Sequence, residues 1–333
     1  MSKRFNNKRL IYILGALVAL LLLTLFLKVP SKNATLKSTI TEFDTAAVSK
    51  IVIIPRPEDG PSFEFTKENG NWTIRQGDVV SKPVEWAVTN IFDQLGSLRP
   101  QSLEAVDEAK WKDFDLTDSL ARRIRLLNSG GKILADIMIG KFNYREVQNP
   151  YNPYGGGNIE GTSYVRNFGE KEVYSVDGFL SINFSGSFSD WRDKSMIRFN
   201  KEDILRITFR YPADSSYTLI RDGNKWFANN IEADSATVVN YLTMLSRTDG
   251  QEFNDGYTPR GEPVFIINAE GNNLTAFTVR CYESEEADKL ILNSSQNPEV
   301  YFKNAADQVH NDIFVPWKRS EEHTSELQSR QSI

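Results

Sequence analysis

Apolar and polar positions recur along this chain in a fixed succession, seen most clearly at 198–248. Ile204, Ile207 and Phe209 sit in a β-rich run, and Tyr217 and Leu219 alternate with polar neighbours, the period of a half-buried strand. Asp222-Gly223 supplies the positive-φ residues of a tight hairpin turn, and Trp226 opens the return strand. Asp234 or Ser235 is placed to cap a helix. In that helix Val238, Tyr241, Leu242 and Leu245 fall at i, i+3, i+4 and i+7, one apolar face.

The same succession occurs earlier. Phe43-Asp44 and Ile51–Ile53 parallel Phe199-Asn200 and Ile207–Phe209, and Phe63 and Phe65 parallel Tyr217 and Leu219. Asn69-Gly70-Asn71-Trp72 stands where Asp222–Trp226 does, and Val88, Ile91, Phe92 and Leu95 repeat the helix face. Beyond the helix, Leu127–Leu134 matches Ile267–Leu274, and Val173-Tyr174 matches Val300-Tyr301. The pattern predicts an α+β fold, two tandem copies of an antiparallel-sheet-plus-helix unit, at 42–197 and 198–318. Without βαβα alternation a parallel sheet is disfavoured. The first copy carries an insertion, Phe142–Ser163, with Tyr144, Tyr151, Tyr154 and three consecutive glycines. Its composition predicts an irregular loop, either a plain surface loop or a recognition loop using its tyrosine rings.

Hydropathy sets the ends apart. Residues 1–10 contain Lys3, Arg4, Lys8 and Arg9, followed by an uninterrupted apolar run, Ile11–Leu27. Its seventeen residues, uncharged throughout, suffice for a short membrane span, and no small-x-small cleavage site follows. The run is expected to be an uncleaved transmembrane anchor with a cytoplasmic basic flank, 28–41 being a linker. The chain is then expected to be single-pass in an inner membrane, with its bulk on the periplasmic side. Residues 319–329 resemble a translated sequencing-adapter read, so 319–333 is set aside and a natural C-terminus beyond 318 is expected to be missing.

Composition narrows the chemistry. The 333 residues carry a net charge of −5, and removing the tail, with its two Arg and three Glu, leaves −4. No basic face for nucleic acid is indicated. One cysteine, Cys281, excludes an intrachain disulfide, and the tail takes His323, leaving His310 as the single histidine, read as solvent-facing. A hydrolase triad therefore lacks its usual base, and no cofactor or metal set emerges. Asp113, Asp115 and Asp118 lack the central glycine of a calcium loop and read as a solvated turn. The densest polar cluster is Ser187–Ser195. Asp190 and Arg192 are candidate buried partners around Trp191, and Asp190 with Asp193 is a candidate acid–base pair. A helix start capped by Ser189 with a local ion pair accounts for the same residues.

Taken in order, Phe43-Asp44, Val48–Ile51, Asn71-Trp72, Trp111–Leu116, Tyr174–Val176 and Asp190–Lys194 resemble the bacterial DUF4340 family across most of 10–315. The resemblance implies a membrane-anchored, repeat-containing envelope protein of uncharacterised activity. Such relatives are often encoded beside ABC-transporter components of the type linked to gliding motility. The expected function is a non-enzymatic periplasmic binding or scaffold protein, with the inner membrane and ABC-transporter subunits as partners. The alternative is an envelope carbohydrate-binding protein or glycan-acting enzyme using the 142–163 loop. The candidate interaction residues are Tyr144, Tyr151, Tyr154, Asp190, Trp191, Arg192 and Asp193.

Overall fold

The structure is a computed structural model that describes Leu14, Leu17 and residues 36–147, 158–284, 289–304 and 308–317. Apart from Leu14 and Leu17, the expected anchor Ile11–Leu27 lies outside the described residues, as do Tyr151, Tyr154 and the tail 319–333. Among the described residues no helix is long and apolar enough to cross a membrane.

The described chain is mostly antiparallel sheet with few helices. In chain order the strands are β1 (Lys50–Ile54), β2 (Phe63–Glu68), β3 (Asn71–Gln76), β4 (Val79–Ser81), β5 (Pro100–Ala105), β6 (Arg122–Leu127), β7 (Ile133–Val147), β8 (Asn158–Asn167), β9 (Val173–Asp177) and β10 (Ser195–Arg198). Then come β11 (Ile204–Arg210), β12 (Tyr217–Asp222), β13 (Lys225–Ala228), β14 (Ile231–Ala233), β15 (Arg247–Asp249), β16 (Glu252–Phe253), β17 (Phe265–Gly271), β18 (Phe277–Glu283), β19 (Leu290–Ser294) and β20 (Asn297–Asn304). Helices occupy Ala87–Gly96, Leu180–Asn183, Ser235–Leu245 and Gln308–Ile313.

Contacts divide the chain into two compact units. One holds the described residues of Met1–Ser62 and Asn90–Ser185, the other those of Phe63–Thr89 and Gly186–Ile333. These units cut across the sequence halves 42–197 and 198–318, because Phe63–Thr89 and residues 186–197 are counted with the second.

In the first unit the strands run β1-β6-β7-β8-β9-β5. Alternate residues are buried in β1 and β6, so Ile51, Ile53, Ile124 and Leu126 line the core while Arg123 and Arg125 face outward. Ile53 pairs with Ile124, and Ile124 with Ile137. Asp44 caps a 3-10 turn by accepting from the Ala46 N–H at 2.9 Å.

In the second unit β2, β3 and β4 form an antiparallel meander. Its first turn is Asn69-Gly70 with φ of 51° and 87°, the two positive values of a type I′ hairpin. A nine-stranded sheet follows, ordered β14-β13-β12-β11-β17-β18-β19-β20-β16. Its β12–β13 turn is Gly223-Asn224, with Asp222 paired to Lys225. Only Gly223 has positive φ there, at 59°, the type II′ pattern rather than the Asp222-Gly223 turn expected from sequence. Asn200 caps its 3-10 turn through the Glu202 N–H at 3.3 Å, and Asp234 caps the helix Ser235–Leu245 through the Thr237 N–H at 2.9 Å. That helix buries Val238, Leu242 and Leu245 in a core with Ile207, Phe209, Ile267 and Val279. Gly271 admits no side chain, since a Cβ there would stand 1.8 Å from the Asp203 carbonyl oxygen.

The ladders correct one sequence match. Phe209 pairs with Ile267 and Ile267 with Val279. Ile124, not Leu127, therefore holds in the first unit the ladder position of Ile267, and the expected match was three residues out of step.

Candidate functional site

The insertion Phe142–Ser163 is not irregular at its ends. Phe142–Val147 and Asn158–Ser163 continue β7 and β8 as a paired ribbon, from Phe142↔Ser163 to Val147↔Asn158. Phe142, Tyr144 and Val147 are strand formers, and their pairing outweighs the loop-like composition between them. Tyr144 is 70% exposed, and Arg145 pairs with its cross-strand neighbour Glu160 at 2.7 Å.

The Ser187–Ser195 stretch is used for structure. Ser187, not Ser189, caps the 3-10 turn Phe188–Trp191, and the Asp190 carboxylate accepts from the Ser187 N–H at 2.9 Å and Ser187 Oγ at 2.7 Å. Arg192 does not pair with Asp190. It is 2% exposed, makes a two-pronged bond to Asp255 at 2.7 and 2.8 Å, and lies 3.6 Å over the Phe253 ring. Asp193 accepts from the Ser195 N–H at 2.9 Å. Trp191 is buried among Phe63, Phe65 and Trp86, with centroids 5.9–6.5 Å away. Sequence reasoning brought Asp190 and Asp193 together as an acid–base pair; the fold gives each carboxylate a separate backbone partner.

His310 is half-buried rather than solvent-facing. It sits between Phe265, at 4.8 Å, and Phe314, at 5.0 Å, and its buried Nε2 has no hydrogen-bond partner. Asp113 and Asp118 are exposed, and Asp115 takes a left-handed φ of 55° at the end of a 3-10 helix. Among the described residues no group of three or more His, Cys, Asp or Glu is placed to hold a metal ion.

What sequence missed is a cleft of about 580 Å³ on the second unit. It lies between the segment 254–264 and the outward face of β18, β19 and β20. The segment is tied at both ends: the Asn254 N–H donates to the Tyr301 carbonyl and the Val264 N–H to the Cys281 carbonyl, each at 2.8 Å. Tyr257, Tyr282 and Tyr301 cluster there with centroids 5.1–6.3 Å apart. Tyr257 and Tyr282 line the cleft with Asn254, Arg260, Lys289 and Lys303. Burial raises the Tyr282 phenol above its usual pKa, and the neighbouring Tyr301 adds to this. Glu262 and Glu283 line it too, so the surface combines amphipathic rings with charged groups of both signs, a composition suited to contact with a protein or a sugar. Cys281 beside it points to the core, where burial pushes its thiol up to about 12.

In the first unit the equivalent strand positions are occupied differently. There Trp111 lies 3.7 Å over the Arg166 guanidinium, whose Nε donates to the Leu116 carbonyl at 3.0 Å. Arg166 pairs with Met138 as Asn293 pairs with Arg280, so an aromatic–arginine stack fills the corresponding ground. No local signal in the sequence separates the two cases. Tyr257, Tyr282 and Tyr301 belong to three separate elements, and only the ladder unites them.

The family described as Domain of unknown function (DUF4340) matches residues 85–260, a little over half of the chain. No curated protein and no solved structure matches.

Proposed function

The chain belongs to the DUF4340 family, and on that premise we propose that it is a membrane-anchored, non-enzymatic binding protein of the bacterial envelope. In this reading it is an accessory component of an ABC-transporter system of the gliding-motility type, held by Ile11–Leu27 with its bulk in the periplasm. The cleft lined by Tyr257 and Tyr282, with Tyr301 packed against them, is its contact surface, and that cluster of rings beside charged groups is the observation that carries the reading. The candidates Asp190, Trp191, Arg192 and Asp193 serve the fold, and Tyr144 is a peripheral contact.

The reading includes a tandem duplication. Its support is the shared strand order: β1-β6-β7-β8-β9-β5 corresponds to β11-β17-β18-β19-β20-β16, and the meander β2-β3-β4 to β12-β13-β14. Within it, the first copy is closed by the Trp111–Arg166 stack and the second is open, so the copies have divided structural and binding roles.

The test is recovery of transporter components from crosslinked membranes by the full-length chain. Wild type is expected to recover a membrane-embedded transporter subunit. Tyr257→Ala should weaken recovery about tenfold or more, as truncating an aromatic anchor does, while Tyr144→Ala should leave it near wild type. A wild-type chain that recovers no transporter component, or a loss confined to Tyr144→Ala, contradicts the reading. The Tyr cluster with Asn254 also favours a glycan as occupant. That second reading is expected to show as retention on envelope polysaccharide that Tyr257→Ala abolishes, with transporter recovery unchanged.

A further inference from the structure

A second cavity, of about 400 Å³, lies on the outward face of β11, β17 and β18. Two arginines face it across Ile266: Arg210 pairs with Ile266, and Ile266 with Arg280. Two strand spacings put their backbones about 10 Å apart, within reach of one small group held between two guanidinium arms. The adjacent ladder row is polar, Thr208↔Asn268↔Thr278. Thr278 Oγ1 donates to Asn268 Oδ1 at 2.9 Å, which leaves the Asn268 amide N–H₂ as a donor toward the cavity. Neither Arg210 nor Arg280 has a carboxylate partner among the described residues. Glu270, which also lines the cavity, stands in the Arg206 row instead.

The first unit shows what such a face needs. By ladder position Asp136 corresponds to Thr278, each preceding the core residue (Ile137, Val279) that pairs with Ile124 or Ile267. The Asp136 carboxylate accepts from Arg123 Nε at 2.6 Å, Arg123 Nη2 at 2.7 Å and Arg125 Nε at 3.1 Å. The first unit therefore carries a built-in anion among its outward arginines. The second has Ile266 and Asn268 at the ladder positions of Arg123 and Arg125, sets its arginines on the flanking strands at the positions of Ile54 and Met138, and has a threonine hydroxyl in place of the carboxylate.

We propose that the Arg210–Arg280 cavity binds a ligand through an oxyanion group, phosphate or carboxylate, which takes the part that Asp136 plays in the first unit. The guanidiniums supply charge-assisted bonds, and the Thr208 hydroxyl and Asn268 amide supply neutral donors. This site is separate from the tyrosine cleft and stands or falls independently of it.

The experiment uses the full chain in neutral detergent micelles, with the Thr208 and Thr278 methyl resonances as local reporters. Three probes are titrated: inorganic phosphate, glucuronate, and vesicles containing phosphatidylglycerol. Saturable shifts of both methyls are expected with at least one. The arm that saturates at the lowest concentration identifies a free phosphate, a sugar carboxylate or a lipid headgroup as the source. The double variant Arg210→Gln, Arg280→Gln should weaken binding about tenfold or more, with its remaining threonine methyl spectrum reporting an intact fold. If the pair does not fold, the single Arg210→Gln, at an exposed position, carries the same expectation. Absence of saturation with all three probes overturns the proposal. So do saturable shifts that persist unchanged in the variants.

Discussion

Replacing Trp191 with alanine is expected to lower folding stability by about 3–5 kcal/mol, the range for emptying a buried aromatic site. The ring is 2% exposed and meets Phe63, Phe65 and Trp86. Its two flanks are fixed independently, by the Asp190 cap on one side and the Arg192–Asp255 pair on the other. The neighbours therefore have little freedom to close over the void, which sets the cost near the upper part of the range. Urea denaturation of the full-length chain followed by circular dichroism checks this. A variant that unfolds at the wild-type midpoint yet loses its partner would return Trp191 to the interaction surface.

Alkaline pH is expected to have an effect of similar size, through three tyrosines that hold the C-terminal segment. Tyr211 Oη donates to the Val315 carbonyl at 3.0 Å, Tyr217 Oη to the same carbonyl at 2.8 Å, and Tyr241 Oη to the Ile313 carbonyl at 2.9 Å. Burial raises all three phenols well above their ordinary value. The sign follows from proton linkage. The folded state keeps these protons while the unfolded state releases them near pH 10, so the stabilisation is fully present below about pH 10 and is lost as pH rises beyond it. Each buried phenol contributes a loss of about 1.4 kcal/mol per pH unit in that window. The Cys281 thiol, pushed up to about 12, acts in the same direction from its lower unfolded value. Unfolding free energies from denaturation at pH 8 and pH 11 should differ by several kcal/mol, with a lower midpoint at pH 11. The difference should shrink in Tyr211→Phe, Tyr217→Phe, which lacks two of the titrating groups. Equal midpoints for the wild-type chain at the two pH values would contradict it.

The strand-and-hairpin stretches 43–76 and 199–228 were legible because their signals are local and tied to side-chain period. Phe65 pairs with Ile74 as Leu219 pairs with Ala228, which puts Trp72 and Trp226 in equivalent places, as their spacing implied. The back halves misled because Gly130-Gly131 and Gly271-Asn272 mark where a turn lies without fixing which residues pair, and register carries the identity of each position. The Asp190–Arg192 partnership failed for a related reason. The true partner of Arg192, Asp255, is 63 residues away, beyond any sequence pattern. The same holds for the tyrosine cleft, whose three rings come from one loop and two strands. In Phe142–Ser163 the glycines and prolines at the centre hid an alternation of Phe142 and Tyr144 that belongs to a strand.

The proposed reading is a division of labour, in which shared positions build the sheets and the second unit offers the contact surface. Where a partner touches the chain is therefore the decisive observation. A photoreactive phenylalanine analogue placed at Tyr257, and separately at Tyr144, in the full-length chain in living cells measures it directly. The account predicts one discrete adduct from position 257 that contains a transporter subunit, with little from position 144. An adduct formed from 144 alone, or none from 257 in a chain that reaches the membrane, would contradict it.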